Sequence, residues 1–356
     1  MNRSKNILLL AGTGAIGKYL SELNKNQGYN VFVTSRRKRI SHDNSIVYMC
    51  GNAKSKNFLK KILHNQKFDV IVDFINYKNN EFNRNIDTLL KSCNHYFFLS
   101  SCRVYRNSNQ EIDESFALKQ PNYKNFIDSY ASNKISQEKV LHKKNNSKWT
   151  IVRPYITYST NRLQLGPFEY NEIFSRSKIN QPMPFTKKIM NNKTILTWGG
   201  DVAKLISQLY QNKNAYHETF NLVSDEAVTW KYVYNIYKNN LNTCIRIISN
   251  SELTKIFNNS SIISYDRNYS RMISNKKIRK CLNLKKNFFK PLKIGLVEEI
   301  NQSTKKTNYY SYINGCIDYV LGSKKIRWNN IKLNLNCMKY IISKTIIDKL
   351  LHKIIK

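Results

Sequence analysis

Residues Ile7-Leu8-Leu9-Leu10-Ala11 form an unbroken apolar run that ends directly in Gly12-Thr13-Gly14-Ala15-Ile16-Gly17, a G-x-G-x-x-G segment. A continuous apolar run of this length is the pattern of a strand buried on both faces of a parallel sheet. Helical spacing follows through Tyr19, Leu20 and Leu23 as far as Gly28, and Val31-Phe32-Val33-Thr34 then reads as a second strand. In a strand–turn–helix–strand unit each glycine has a task. Gly12 makes the tight turn, Gly14 lets backbone approach a pyrophosphate, and Gly17 lets the helix pack on the strand. Thr13, Ala15 and Ile16 complete the loop, and a phosphate would sit on the unpaired amides of the helix N-terminus. This order of elements constrains the fold more than any compositional figure.

The end of the second strand speaks to cofactor choice. An NAD site places an acidic residue there for the ribose hydroxyls. This chain has Ser35 followed by Arg36, Arg37, Lys38 and Arg39. A hydroxyl and guanidinium groups suit a 2′-phosphate, so NADP is favoured, with NAD as the alternative. Further runs, Val70–Ile75 after the helical Phe58–Leu63 and Tyr96–Leu99 after the helical Ile86–Leu90, continue the alternation. The expected fold is α/β: a Rossmann-like, doubly wound parallel sheet with a smaller mixed α/β C-terminal lobe.

Ser100-Ser101-Cys102-Arg103-Val104-Tyr105 closes the Tyr96–Leu99 strand, and Tyr130-Ala131-Ser132-Asn133-Lys134 follows in a helical setting. The i, i+4 spacing puts the Tyr130 phenol and the Lys134 ammonium on one helix face. A free tyrosine, with a pKa near 10, is a poor acid or base at neutral pH. A neighbouring cation favours the phenolate, and Ser101 at the strand end offers a hydroxyl to a substrate oxygen.

These segments together resemble the extended short-chain dehydrogenase/reductase family, that of the NAD-dependent epimerases and dehydratases, in its nucleotide-sugar branch. The matching stretches are the glycine motif, Gly51-Asn52-Ala53, Phe98–Tyr105, Tyr130–Lys134, Val152-Arg153-Pro154-Tyr155-Ile156-Thr157-Tyr158 and Thr197-Trp198-Gly199-Gly200-Asp201-Val202-Ala203. The last of these looks like the family's segment returning to the sheet. The resemblance covers roughly residues 5–290 and implies a catalytic triad of Ser101, Tyr130 and Lys134. It implies that Lys134 also orients the cofactor ribose, and that Asn52, with Ala53, stands where the family has an Asp beside adenine. It further implies a nucleoside-diphosphate sugar as substrate, with Arg162, Arg267 and Arg271 as candidate diphosphate ligands. Two departures stand out. Ala11 occupies a position where the family's glycine loop often begins. Cys102-Arg103 replaces the Asp-Glu pair of the dehydratases, which argues against water elimination and leaves epimerase or ketoreductase, for instance in surface polysaccharide synthesis.

The expected domains are a nucleotide-binding domain over 1–158 with 194–224 returning to it, a substrate lobe over 159–193 and 225–292, and a basic extension over 293–356. Fifty-nine Lys and Arg against 23 Asp and Glu give a net charge of +36, densest after Lys276. An RNA or anionic-membrane binder on the same fold is the competing reading. The charge is spread along the chain, so no nucleic-acid partner is expected. Tyr340–Lys356 has apolar residues recurring at Ile342, Ile346, Leu350 and Ile354 beside lysines. Such a helix suits either packing on its own domain, which is preferred, or a peripheral membrane contact. No apolar run approaches the roughly 18 residues of a membrane span. Seven cysteines without a C-x-x-C pair fit a reducing cytoplasm, and a homodimer is expected.

Overall fold

A computed structural model describes residues 5–41, 44–64, 66–119, 128–210, 212–258, 261–323 and 335–345. The chain divides into two compact units. The first comprises 1–159, 195–227 and 271–296, and the second comprises 160–194, 228–270 and 297–356. Residues Arg271–Leu296, read from sequence as mostly substrate lobe, fall within the first unit, and much of the basic extension falls within the second.

The first unit alternates β1 (Asn6–Leu10), α1 (Gly17–Asn26), β2 (Asn30–Ser35), β3 (Ile46–Cys50), α2 (Lys56–Leu63), β4 (Phe68–Asp73), α3 (Asn79–Lys91), β5 (Cys93–Leu99), α4 (Ser129–Leu141) and β6 (Trp149–Pro154), and later adds α5 (Gly199–Gln208) and β7 (Glu218–Leu222). The seven strands pair in parallel in the order β7-β6-β5-β4-β1-β2-β3, a Rossmann-like sheet. The order reverses around β1, which lies between β4 and β2. That switch point, at the carboxyl ends of the strands, is where open α/β sheets hold ligands.

The two-residue strand period explains the layers. Ile7, Leu9, Val31, Val33, Val70 and Val72 face one side, packing with Leu20 of α1 and with Val202, Leu205 and Ile206 of α5. Leu8, Leu10, Ile71, Tyr96 and Phe98 face the other, against Leu59 and Leu63 of α2 and Phe82, Ile86 and Leu89 of α3. Leu8 and Leu9 are both fully buried, which contributes about 2 kcal/mol each. Helix α2 starts where Ser55 accepts the Phe58 amide, and α4 starts where Asp128 accepts the Ala131 amide at 3.2 Å.

The return of the chain to the sheet differs from the expected one. Leu196-Thr197-Trp198 does not join the main sheet but pairs in parallel with Ile156-Thr157-Tyr158. The chain returns to the main sheet at β7, beside β6. Gly199 instead lets α5 approach the glycine loop, since a Cβ there would lie 2.3 Å from the Ala15 carbonyl oxygen.

The second unit carries the helix Tyr170–Ser177, the parallel pair Met183–Phe185 and Ile245–Ile247, the helix Trp230–Leu241 and two late helices, Tyr312–Val320 and Leu335–Thr345. Of the expected Tyr340–Lys356 helix, residues 346–356 lie outside the described residues. In the described part Tyr340 and Lys344 are buried, and the Tyr340 hydroxyl donates to Asp318 at 2.6 Å. No helix among the described residues is long and apolar enough to cross a membrane.

Candidate cofactor cleft and catalytic residues

Where β1 ends, the loop 11–17 tightens around Gly12 and Gly17. A Cβ on Gly17 would lie 2.1 Å from the Gly12 carbonyl oxygen, so only glycine allows α1 to start this close to the strand. Ala11 takes φ +55°, a left-handed conformation that costs an alanine about 1 kcal/mol, and its amide donates to Thr34 Oγ1 at 2.8 Å. The departure noted at Ala11 therefore leaves the loop formed at the expense of local strain. Gly14 stands open, with nothing within 4 Å of where its Cβ would be. The N-cap of α1, Ile16, supplies no side-chain cap, which leaves first-turn amides available to an anion.

These residues border a cavity of about 490 Å³. Thr13, Gly14, Ser35, Arg36, Asn52 and Ala53 line it, with Ile75 and Asn76 across from them. Gly12, Ala15, Ile16 and Gly17 shape the loop behind this wall. Ser35 is buried and its Oγ accepts from the Arg37 amide at 3.3 Å and from Arg39 Nε at 3.4 Å. Arg36 and Arg37 are both exposed, and of the two only Arg36 borders the cavity. Lys54, which the sequence reading passed over, also lines it and is paired with Glu81 at 3.0 Å. Among the described residues no group of three or more His, Cys, Asp or Glu could hold a metal, and the seven cysteines are free thiols.

The catalytic candidates meet at the carboxyl end of β5. Ser101 caps the short 3-10 turn Cys102–Val104, its Oγ accepting the Arg103 amide at 3.2 Å, and α4 packs against that turn. Tyr130 lies half-buried in the first turn of α4. The Arg103 guanidinium lies 5.2 Å from its ring centroid and is itself held by Asp128 at 2.8 Å. Cys102, by contrast, turns inward: it is fully buried and donates to the Arg153 carbonyl at 2.9 Å.

Lys134, one helical turn beyond Tyr130, is 2% exposed. Its Nζ donates to Leu99 O at 2.7 Å and Ile75 O at 3.1 Å, at the ends of β5 and just past β4. Burial pulls this ammonium down to about 8, against the attraction of Asp73 and Glu138. Asp73, also missed from sequence, closes β4 as a fully buried carboxylate whose own pKa burial raises. A single acid in the apolar run Val70–Ile75 was the available signal.

The basic residues assigned to a diphosphate do not form one cluster within either unit. Arg162 is exposed in the second unit. Arg267, in the same unit, is buried, donates to Gly166 O at 2.9 Å and pairs with Asp266. Arg271 belongs to the first unit, is 1% exposed and donates to Arg106 O at 3.1 Å.

A glycine-loop cavity at the switch point of a seven-stranded parallel sheet defines a Rossmann-like fold of the dinucleotide-binding kind. The family model described as "NAD dependent epimerase/dehydratase family" matches residues 7–222, and the chain belongs to that family. Among curated proteins it is 26% identical over 249 residues to the chloroplast stem-loop binding protein of 41 kDa b of Arabidopsis thaliana. That alignment covers 64% of this chain and 60% of the plant protein's length. Among solved structures, an epimerase from Methanothermobacter thermautotrophicus superposes with a TM-score of 0.67 at 14% identity, covering 84% of this chain and 92% of the other. UDP-glucuronic acid 4-epimerase from Bacillus cereus, in complex with NAD, superposes with a TM-score of 0.62 at 15% identity, covering 83% and 96%. At these identities the structures establish the shared fold.

Proposed function

We propose that the protein is an NAD(P)-dependent nucleotide-sugar epimerase or ketoreductase. The observation that carries this reading is the placement of Tyr130 and Lys134 on α4 against the Ser101 turn, beside a glycine-loop cleft. A bound nicotinamide supplies the hydride donor or acceptor. In this reading Tyr130 takes or gives the proton of a sugar hydroxyl, and Ser101 donates to the oxygen as its charge develops. Lys134 holds the ribose hydroxyls, first-turn amides at 14–17 hold the pyrophosphate, and Asn52 and Ala53 border the adenine. Cys102 and Arg103 stand where the dehydratases carry an acid pair. One points into the core and the other is tied to Asp128, so water elimination is outside this reading. Arg162 is the exposed member of the basic set and the one open to a diphosphate. Arg267 and Arg271 are buried and donate to backbone carbonyls, so they are set aside as diphosphate ligands.

UDP-, GDP-, CDP- and dTDP-sugars, with their 4-keto forms, test the assignment by NMR isomer exchange and by cofactor oxidation. Turnover of at least one sugar nucleotide, far exceeding that of the free sugar, is expected because binding energy from the remote nucleotide aligns the reacting carbon. Turnover of a small unphosphorylated ketone, with no response to any sugar nucleotide, would overturn it.

Cofactor preference follows from the β2 end. NADP(H) should bind more tightly than NAD(H), with Arg36 and Ser35, assisted by Arg37, meeting the 2′-phosphate. Arg36→Ala is expected to weaken NADPH binding roughly 10- to 100-fold, the range of a charge-assisted hydrogen bond, and to leave NADH unchanged. Fluorescence titration of both nucleotides decides it; equal affinities in the unsubstituted protein would sink the preference.

A second reading draws on the plant relative, named for stem-loop binding, together with the +36 charge. The same fold would then bind a nucleic-acid stem-loop through its basic surface. Steeply salt-dependent affinity for an RNA stem-loop, without turnover of any sugar nucleotide, would favour it.

A further inference from the structure

We propose that Asp73 is a positioning residue for Lys134, acting through the turn after β4 and through its own charge. This rests on the assignment of Lys134 to the cofactor site, and the experiment below separates the two.

The geometry is a short relay. Asp73 Oδ1 accepts the Ile75 amide at 2.9 Å, and Oδ2 accepts the hydroxyls of Tyr77 and Tyr96, each at 2.8 Å. Two of these donors lie on the turn 74–77 itself, so the carboxylate cinches it. The carbonyl of the same Ile75 then receives Lys134 Nζ at 3.1 Å, and Ile75 and Asn76 form one wall of the cofactor cavity. Moving the turn would therefore move both the ammonium's seat and the cavity wall.

Charge points the same way. A fully buried carboxylate is expensive unless a cation compensates it. Here its three bonds come from neutral donors, and the cation that acts on it is Lys134. Reciprocally, Lys134 is buried with both its hydrogen bonds to carbonyls. Asp73 is the largest influence holding its proton, with Glu138 assisting and Lys54 opposing. A turn that needed only tethering could use an amide or a hydroxyl. A carboxylate serves a neighbour that must stay charged. Tyr77 and Tyr96, whose phenols burial pushes well above the usual range, remain donors throughout the working pH span.

The test uses the full chain labelled with [ε-13C]lysine. The Lys134 signal is assigned by its loss in Lys134→Arg and followed by NMR through a pH titration without any nucleotide. Asp73→Asn is expected to lower the Lys134 midpoint by about one pH unit or more, the effect of removing a nearby opposite charge. NADPH affinity, read by nucleotide fluorescence, should fall about fivefold at pH 8, because lowering the midpoint from about 8 to about 7 cuts the protonated fraction from about one half to about one eleventh. It should recover at pH 6.5, where Lys134 is protonated again; a purely structural lesion would lower affinity equally at both values. Asp73→Glu should keep the midpoint. If Asp73→Asn does not accumulate as folded protein, Asp73→Ser gives the same two readouts. A folded neutral variant with an unchanged Lys134 midpoint, or with pH-independent loss of affinity, overturns the proposal. If Lys134→Ala leaves NADPH and NADH binding intact, the cofactor assignment fails, while the midpoint still reports on Asp73.

Discussion

Tyr130→Phe is expected to lower turnover of the sugar nucleotide by about 10²- to 10⁴-fold, the contribution of a positioned acid or base, with nucleotide affinity unchanged. The substitution removes one hydroxyl from a half-buried ring at the start of α4. The ring keeps its place beside the Arg103 guanidinium, so packing and cofactor seat survive while the proton-transfer group is lost. Lys134→Ala should differ in kind. It removes the group bridging the ends of β4 and β5, so both affinity and turnover should fall. Steady-state kinetics paired with nucleotide titration separates the two cases. Near-normal turnover of Tyr130→Phe would remove the chemistry from this helix altogether. A pH profile adds a check with a definite sign. Lys134 titrates at about 8 in the folded protein, so affinity should decline as pH rises through that value. Unfolding is not the cause, because the unfolded chain binds more protons between about 8 and the ordinary lysine value of roughly 10.4. Over that window this group's contribution to stability rises with pH.

The first half of the chain was legible because its strands are buried on both faces, which writes them as apolar runs. Ile7–Ala11, Val31–Thr34 and Tyr96–Leu99 fall on β1, β2 and β5 with boundaries moved by a few residues. The glycine loop was legible for a different reason. Close backbone approach at Gly17 admits no side chain, so the residue type records the geometry. Asp73 was not legible as a functional group, since sequence shows one acid in an apolar run and says nothing of Tyr77, Tyr96 and Lys134 converging on it. The placement of the basic residues was not legible either. Arg267 and Arg271 are four apart, as on one helix face, but a π-helical turn ends at Arg267 and the chain passes from one compact unit to the other between them. Most hidden was the C-terminal stretch, whose order depends on partners more than a hundred residues away.

That stretch carries the largest expected effect on stability. Asp318, in the helix Tyr312–Val320, is 1% exposed and accepts from Arg176 at 3.0 Å, Tyr309 at 2.7 Å and Tyr340 at 2.6 Å, with Lys344 at 3.9 Å. One carboxylate thus ties three separate segments of the second unit: the helix Tyr170–Ser177, the loop before residue 312 and the helix Leu335–Thr345. Arg176 is also fully buried and anchored to Pro182 O at 2.9 Å, so it cannot reach water when its partner goes. Asp318→Ala should therefore destabilise the second unit by about 3–5 kcal/mol, the loss typical of stranding a buried charge. Asp318→Asn, which keeps an acceptor for the phenols, should lose less. Replacing Arg176, Asp318 and Lys344 together by apolar residues of similar volume should recover much of the loss, because it removes the stranded cations along with the acid. Denaturant titration of the variants measures all three, and NADPH affinity measured alongside should stay constant, since the cofactor cleft is built from first-unit residues alone. A loss for Asp318→Ala below about 1 kcal/mol, the level of an exposed ion pair, would mean that the late helices are held by apolar packing and that this carboxylate is incidental to their order.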